Sequence, residues 1–139
     1  MTVLGRCFCG QAAFSVSAMP LTARICWCRD CQYLGGGTGL ASLAFPSAAL
    51  EVRGALSWFR STADSGNVME RGFCPACGTP LFSKTDARPH LIFIRAGALD
   101  DPELMAPEMT IWTSSAPSWA CIAQDIPRIA GQPKPPEVR

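Results

Sequence analysis

Seven of the chain's 8 cysteines fall into three tight clusters: Cys7-x-Cys9, Cys26-x-Cys28-x-x-Cys31 and Cys74-x-x-Cys77. The eighth, Cys121, stands alone. Thiols this close in sequence are poorly placed to staple distant segments. A disulfide framework would also need an oxidising compartment. The opening residues, Met1 to Gly10, lack the basic head and apolar core of a secretory signal. The expectation is therefore a cytoplasmic protein whose thiols bind metal.

Two thiolates at i and i+3 on a tight turn can reach one ion about 2.3 Å away. Cys74-Pro75-Ala76-Cys77-Gly78 has that form, and Gly78 can adopt the positive φ that curls the chain round a metal. A structural zinc takes four ligands, so Cys7 and Cys9 are expected to join Cys74 and Cys77 in a closed tetrahedral site. Cys26, Cys28 and Cys31 then form a local triad. Three protein ligands and one exchangeable position is the pattern of a catalytic zinc. Cys121 leaves two readings open: a fourth ligand that closes the second site, or a buried, inert thiol. An iron–sulfur cluster fits the spacing less well. The count predicts two zinc ions per chain.

A length of 139 residues suits one domain, expected over 1–130, followed by a mobile Pro- and Lys-rich tail at 131–139. The 12 Gly and 12 Pro favour a turn-rich β chain over a helical bundle. A formal charge of +1 and scattered basic residues argue against nucleic acid as a partner. Cys31 to Leu50 carries no charged side chain, yet its glycines and Pro46 make it a poor membrane helix. It reads instead as a glycine loop running into a buried strand. Strands are expected at 13–16, 40–45, 90–96 and 109–113, with one helical turn at 29–34; residues 21–25 lead into the triad, and 68–73 and 81–83 flank the Cys74 turn. Gly54-Ala55 reads as a hairpin turn between strands at 50–53 and 56–60. Asp101-Pro102 reads as the start of a short helix reaching Met105.

Three clusters in this order resemble a known family. Gly5-x-Cys7-x-Cys9-Gly10, Cys26-x-Cys28-x-x-Cys31 and Arg71-x-Phe73-Cys74-x-x-Cys77-Gly78-x-Pro80-Leu81 are similar to the glutathione-dependent formaldehyde-activating enzymes, a family that includes centromere protein V relatives. Gly97-x-Leu99-Asp100-Asp101-Pro102, Trp119 and Pro127 match in order as well. The resemblance spans about residues 5 to 129. It implies a mainly β, Mss4-like fold of small antiparallel sheets around a structural zinc, with few short helices. It implies that Cys7, Cys9, Cys74 and Cys77 hold that zinc, and that Cys26, Cys28 and Cys31 hold a second one near the active site. The implied chemistry is that of a carbon–sulfur lyase, joining glutathione to formaldehyde as S-(hydroxymethyl)glutathione. Trp27 and Thr110 stand where the family often has His, which removes two candidate proton carriers.

Two functions follow as expectations. In the first, a zinc-dependent enzyme binds a thiol such as glutathione at the open position of the triad and directs it at a small carbonyl. Arg71 is the best candidate for a substrate carboxylate, with Arg29 and Arg60 behind it. Asp30 is a candidate water-orienting or supporting carboxylate. In the second, the same fold is a zinc-stabilised binding module without turnover. His90, the single histidine, lies outside every cluster and reads as structural or exposed. The indoles of Trp27, Trp58, Trp112 and Trp119 read as core or pocket walls.

Overall fold

The computed structural model describes residues 1–136. Strands β1 (Val3–Arg6), β2 (Ala13–Val16) and β5 (Leu50–Arg53) make a three-stranded antiparallel sheet with β2 in the middle. The other strands are β3 (Thr22–Cys26), β4 (Leu40–Pro46), β6 (Ser57–Thr62), β7 (Val68–Phe73), β8 (Pro80–Thr85), β9 (Leu91–Arg95) and β10 (Met109–Ile111). They form one seven-stranded sheet in the order β10-β3-β4-β9-β8-β7-β6. Its pairings are antiparallel except for β10, which runs parallel to β3. One α-helix is described, α1 (Arg29–Leu34), at the helical turn read from the sequence. The fold is mainly β, as expected, although the larger sheet is mixed and broad.

The two sheets pack face to face. Phe14 and Val16 of the small sheet meet Leu43, Phe45, Phe82 and Ile94 of the large one in a single buried cluster. Phe14 and Phe82 meet edge to face, with ring centroids 5.2 Å apart. This arrangement follows from alternation: successive side chains on a strand point to opposite faces. Leu43 and Phe45 of β4 face the core, while Ser42 faces the other way. All five residues of β9, Leu-Ile-Phe-Ile-Arg, are buried, because both faces of this central strand are covered.

Two expectations fail. Gly54-Ala55 does not turn a hairpin: β5 pairs with β2, whereas β6 pairs with β7. The chain here crosses from one sheet to the other, pressed against the β1–β2 connection. A Cβ on Gly54 would lie 2.0 Å from the Gln11 carbonyl oxygen, and Gly54 has φ +92°. Asp101–Met105 is not helical either. The Asp101 carboxylate accepts a bond from the Glu103 N–H at 2.9 Å, the local alternative that Asp offers to a helix. Leu104 and Met105 still pack on the core.

After β10 the chain doubles back beside it. Thr110 donates its N–H to the Pro127 carbonyl at 3.0 Å, and Ile129 donates to the Thr110 carbonyl at 2.8 Å. Trp112 Nε1 donates to Gln132 Oε1 at 3.0 Å. Of the tail expected at 131–139, Gly131 and Gln132 thus touch Trp112, and residues 137–139 lie outside the described residues.

Gly54→Ala should destabilise the fold by about 1–3 kcal/mol, through overpacking and an unfavourable φ. A lowered urea midpoint would check this. An unchanged midpoint would mean that the crossover is not tightly packed there.

Candidate metal centre

The first group of thiols is built from two similar turns. One follows β1, where the Gly10 N–H donates to the Cys7 carbonyl at 3.1 Å. The other joins β7 to β8, where the Gly78 N–H donates to the Cys74 carbonyl at 2.8 Å. Gly10 and Gly78 both have positive φ, +83° and +76°. The Phe8 N–H donates to Thr79 Oγ1 at 3.0 Å, which ties the turns together. Sγ of Cys9 lies 3.6 Å from Sγ of Cys7 and 3.8 Å from Sγ of Cys74, and Cys77 completes the group. Sulfurs about 2.3 Å from a tetrahedral ion are separated by about 3.8 Å. The donor set therefore fits such an ion. Cys77 is pulled down to about 5, chiefly by the Thr79 hydroxyl at 3.1 Å.

The second group is Cys26, Cys28 and Cys31. Cys26 ends β3, Cys28 caps α1, and Cys31 lies in that helix. Backbone N–H groups aim at two of the sulfurs: Cys28 N at Cys26 Sγ and Cys31 N at Cys28 Sγ, each at 3.4 Å. Contacts with Cys26 and Cys31 hold the Cys28 thiol down to about 2. Contacts with Cys28 and Cys31, together with burial, push Cys26 up. Cys31 rises to about 11: Cys26 lowers it, but Cys28 and burial outweigh that. Three sulfurs this close share one negative charge until a cation joins them. Cys121 is exposed and belongs to neither group, so neither the fourth-ligand reading nor the buried-thiol reading describes its place.

The triad opens into a cleft with a cavity volume of about 90 Å³ that is open to solvent. Its floor is the face of the large sheet that turns away from the core. Register aligns Arg24, Ser42 and Arg95 across β3, β4 and β9. It also aligns Phe93, Ser83 and Arg71 across β9, β8 and β7. Arg24 and Arg95 are only 9% and 6% exposed. Arg95 donates to Ser42 Oγ at 2.9 Å, and the Arg24 guanidinium lies 4.6 Å from the centre of the Phe93 ring. Burial lowers the pKa of both, while Cys26 acts against that at Arg24 and Cys31 at Arg95. Arg88 lines the same cleft.

Of the arginines read from the sequence, Arg71 is in place. It donates to Ser61 Oγ at 2.8 Å and meets Asp30 at 3.5 Å. Asp30 thus ties α1 to β7. Arg60 is on the outside, paired with Glu70 at 3.2 Å. Arg29 is exposed, bonded to Gln32 and set over Tyr33. His90 is exposed. Trp27, between two of the thiols, turns away from the cleft: it is 4% exposed and packs edge to face on Trp119, with ring centroids 6.3 Å apart. A Cβ on Gly39 would lie 2.8 Å from the Trp27 ring, so the glycine run lets the chain pass under the indole. Thr110 is buried and its hydroxyl has no partner. Trp112 lines the cleft and Trp58 does not. The sequence reading missed Arg24, Arg88 and Arg95. The signal for Arg24 was its place two residues before Cys26, on the same strand face.

Comparisons with known proteins give a family and a fold. The family described as glutathione-dependent formaldehyde-activating enzyme matches residues 2–115. A crystal structure of a Rhodobacter sphaeroides protein, a structural-genomics target, superposes with a TM-score of 0.60 at 19% identity, covering 92% of this chain and 99% of the other. That likeness shows a shared fold. No curated protein matches the chain by sequence.

Metal binding at the triad should release about two protons per ion at neutral pH, from Cys26 and Cys31, and should weaken as pH falls. Calorimetry in buffers of different ionisation enthalpy would measure the release. Loading without proton release would show that the thiols do not ligate. Cys74→Ser should lower metal content and unfold the chain at a lower temperature, as read by metal analysis and melting.

Proposed function

The chain belongs to the glutathione-dependent formaldehyde-activating enzyme family, and from that premise we propose that it is a carbon–sulfur lyase-type enzyme acting on the adduct of glutathione, or a related thiol, with formaldehyde or another small carbonyl. The supporting observation is a group of three thiols opening into a cleft lined by buried guanidinium groups. In this reading Cys7, Cys9, Cys74 and Cys77 hold a structural zinc. Cys26, Cys28 and Cys31 hold a second zinc and leave its fourth position to the ligand. Zinc at the triad would supply Lewis acidity, lowering the pKa of an incoming thiol and fixing its sulfur.

The chain's own residues bind and orient. Arg71, steadied by Asp30 and Ser61, offers a guanidinium to a substrate carboxylate. Phe93 and Trp112 exclude water from the walls. In the joining direction, the thiolate sulfur attacks the carbonyl carbon and a carbon–sulfur bond forms. The carbonyl π pair moves to oxygen, which takes a proton from water. In the reverse direction the carbon–sulfur bond breaks and the same proton returns.

One observation favours the second reading, a binding module without turnover. The single histidine is exposed and lines no part of the cleft, and Trp27 and Thr110 point their side chains elsewhere. Turnover assays with glutathione and formaldehyde separate the two readings.

Glutathione added to the zinc-loaded protein should perturb its metal-edge spectrum. Cys28→Ser should abolish that response while leaving the melting temperature within a few degrees of the parent, because the four-thiol group carries the fold. An unaltered spectrum with saturating glutathione would sink the thiol-binding reading.

A further inference from the structure

Among the described residues, Arg24 and Arg95 lack a partner of opposite charge. The side-chain ion pairs among the described residues are Arg60 with Glu70 and Arg71 with Asp30. Arg24 meets an aromatic face, Arg95 meets a neutral hydroxyl, and Arg95 Nε has no partner. A guanidinium cannot shed its charge, so a buried one needs an anion nearby. The triad sulfurs supply part of it. Three thiolates around a divalent ion, however, leave a single negative charge to share between two buried cations.

Position says which part of a ligand would supply the rest. Arg24 and Cys26 lie on the same face of β3, about 7 Å apart along the strand. Arg95 is two strands across, about 10 Å away, with Ser42 between them. The carboxylates of glutathione are many bonds from its sulfur, and Arg71 and Arg88, which also line the cleft, offer them further guanidinium groups. A carboxylate carried on the carbon bonded to that sulfur would stay beside the triad, on the sheet face that presents Arg24 and Arg95. An adduct of formaldehyde has no charge there.

We propose that the carbonyl partner of this cleft is a small 2-oxo acid, whose carboxylate is held between Arg24 and Arg95 above the Ser42 hydroxyl. This rests on the thiol-binding reading of the triad and names its second substrate by class. The addition is balanced without an oxidant: sulfur bonds to the carbonyl carbon, the π pair goes to oxygen, oxygen takes a proton, and the carboxylate is unchanged. The guanidinium groups orient the carbonyl and oppose release of the charged adduct.

The test compares two thiols of similar size on the zinc-loaded full chain by calorimetry. Mercaptoacetate carries a carboxylate on the carbon bonded to sulfur, and 2-mercaptoethanol carries a hydroxyl-bearing carbon there. Mercaptoacetate should bind at least about tenfold more tightly. Arg24→Gln and Arg95→Gln should each cut that preference several-fold and leave 2-mercaptoethanol affinity within about twofold. Arg24→Lys and Arg95→Lys, which keep the charge, should retain part of it. Equal affinity for the two thiols overturns the proposal. So does a preference that survives both glutamine variants, which would be chelation by the ligand alone. Glutathione is titrated alongside. Glutathione binding without a mercaptoacetate preference removes this inference and keeps the proposed function. A mercaptoacetate preference without glutathione binding does the reverse. No response to any thiol removes both.

Discussion

Four sulfurs from two β-turns, with Cys9 and Cys74 65 residues apart, converge within bonding distance of one point. The rest of the architecture depends on that convergence. One turn belongs to the small sheet and the other to the large sheet, so an ion bound there clamps the sandwich at its edge. A structural zinc in small peptides contributes on the order of 10 kcal/mol to folding. A chain of 139 residues has a core of limited extent, and a clamp of that size would be a large share of its stability. The hydrogen bond from Phe8 N–H to Thr79 Oγ1 holds the turns together independently of the ion.

The large sheet then has two jobs on two faces. Its inner face packs phenylalanines and aliphatic side chains against the small sheet. Its outer face sets arginines and serines in rows at strand spacing, beneath the thiol triad. The rows are positioned by backbone pairing and not by loops. Ligand-facing groups on strands are held closely, which suits an anion site that must be in place before the ligand arrives.

The cysteine pattern carried most of what was legible. Spacing alone separated a group of four from a group of three, and the structure assembles those same groups. The strand at β9 was legible as an apolar run, but its last residue, Arg95, was not legible as part of a site. An arginine at the end of Leu-Ile-Phe-Ile looks like the point where a strand reaches solvent, and only the pairing of β9 with β4 brings it under the triad. Arg24 was hidden for the same reason. Gly54 was misread because a glycine at a sheet-to-sheet crossover has the same local signature as one in a hairpin. Asp101 was misread because a first-turn Asp-Pro suits both a helix start and a side-chain-capped turn. Local sequence holds the chemistry of a residue, and long-range pairing decides its neighbours.

The place of β10 bears on how the site comes into being. It is the outer neighbour of β3, and the Ile111 carbonyl accepts the Trp27 N–H at 3.0 Å between two of the triad thiols. Without residues 109–111, β3 is the edge of the large sheet, and the Trp27 N–H beside the triad has no carbonyl to meet. The strand that completes the surroundings of these thiols comes from far along the chain, so a site whose ligands are local in sequence is finished by a long-range pairing.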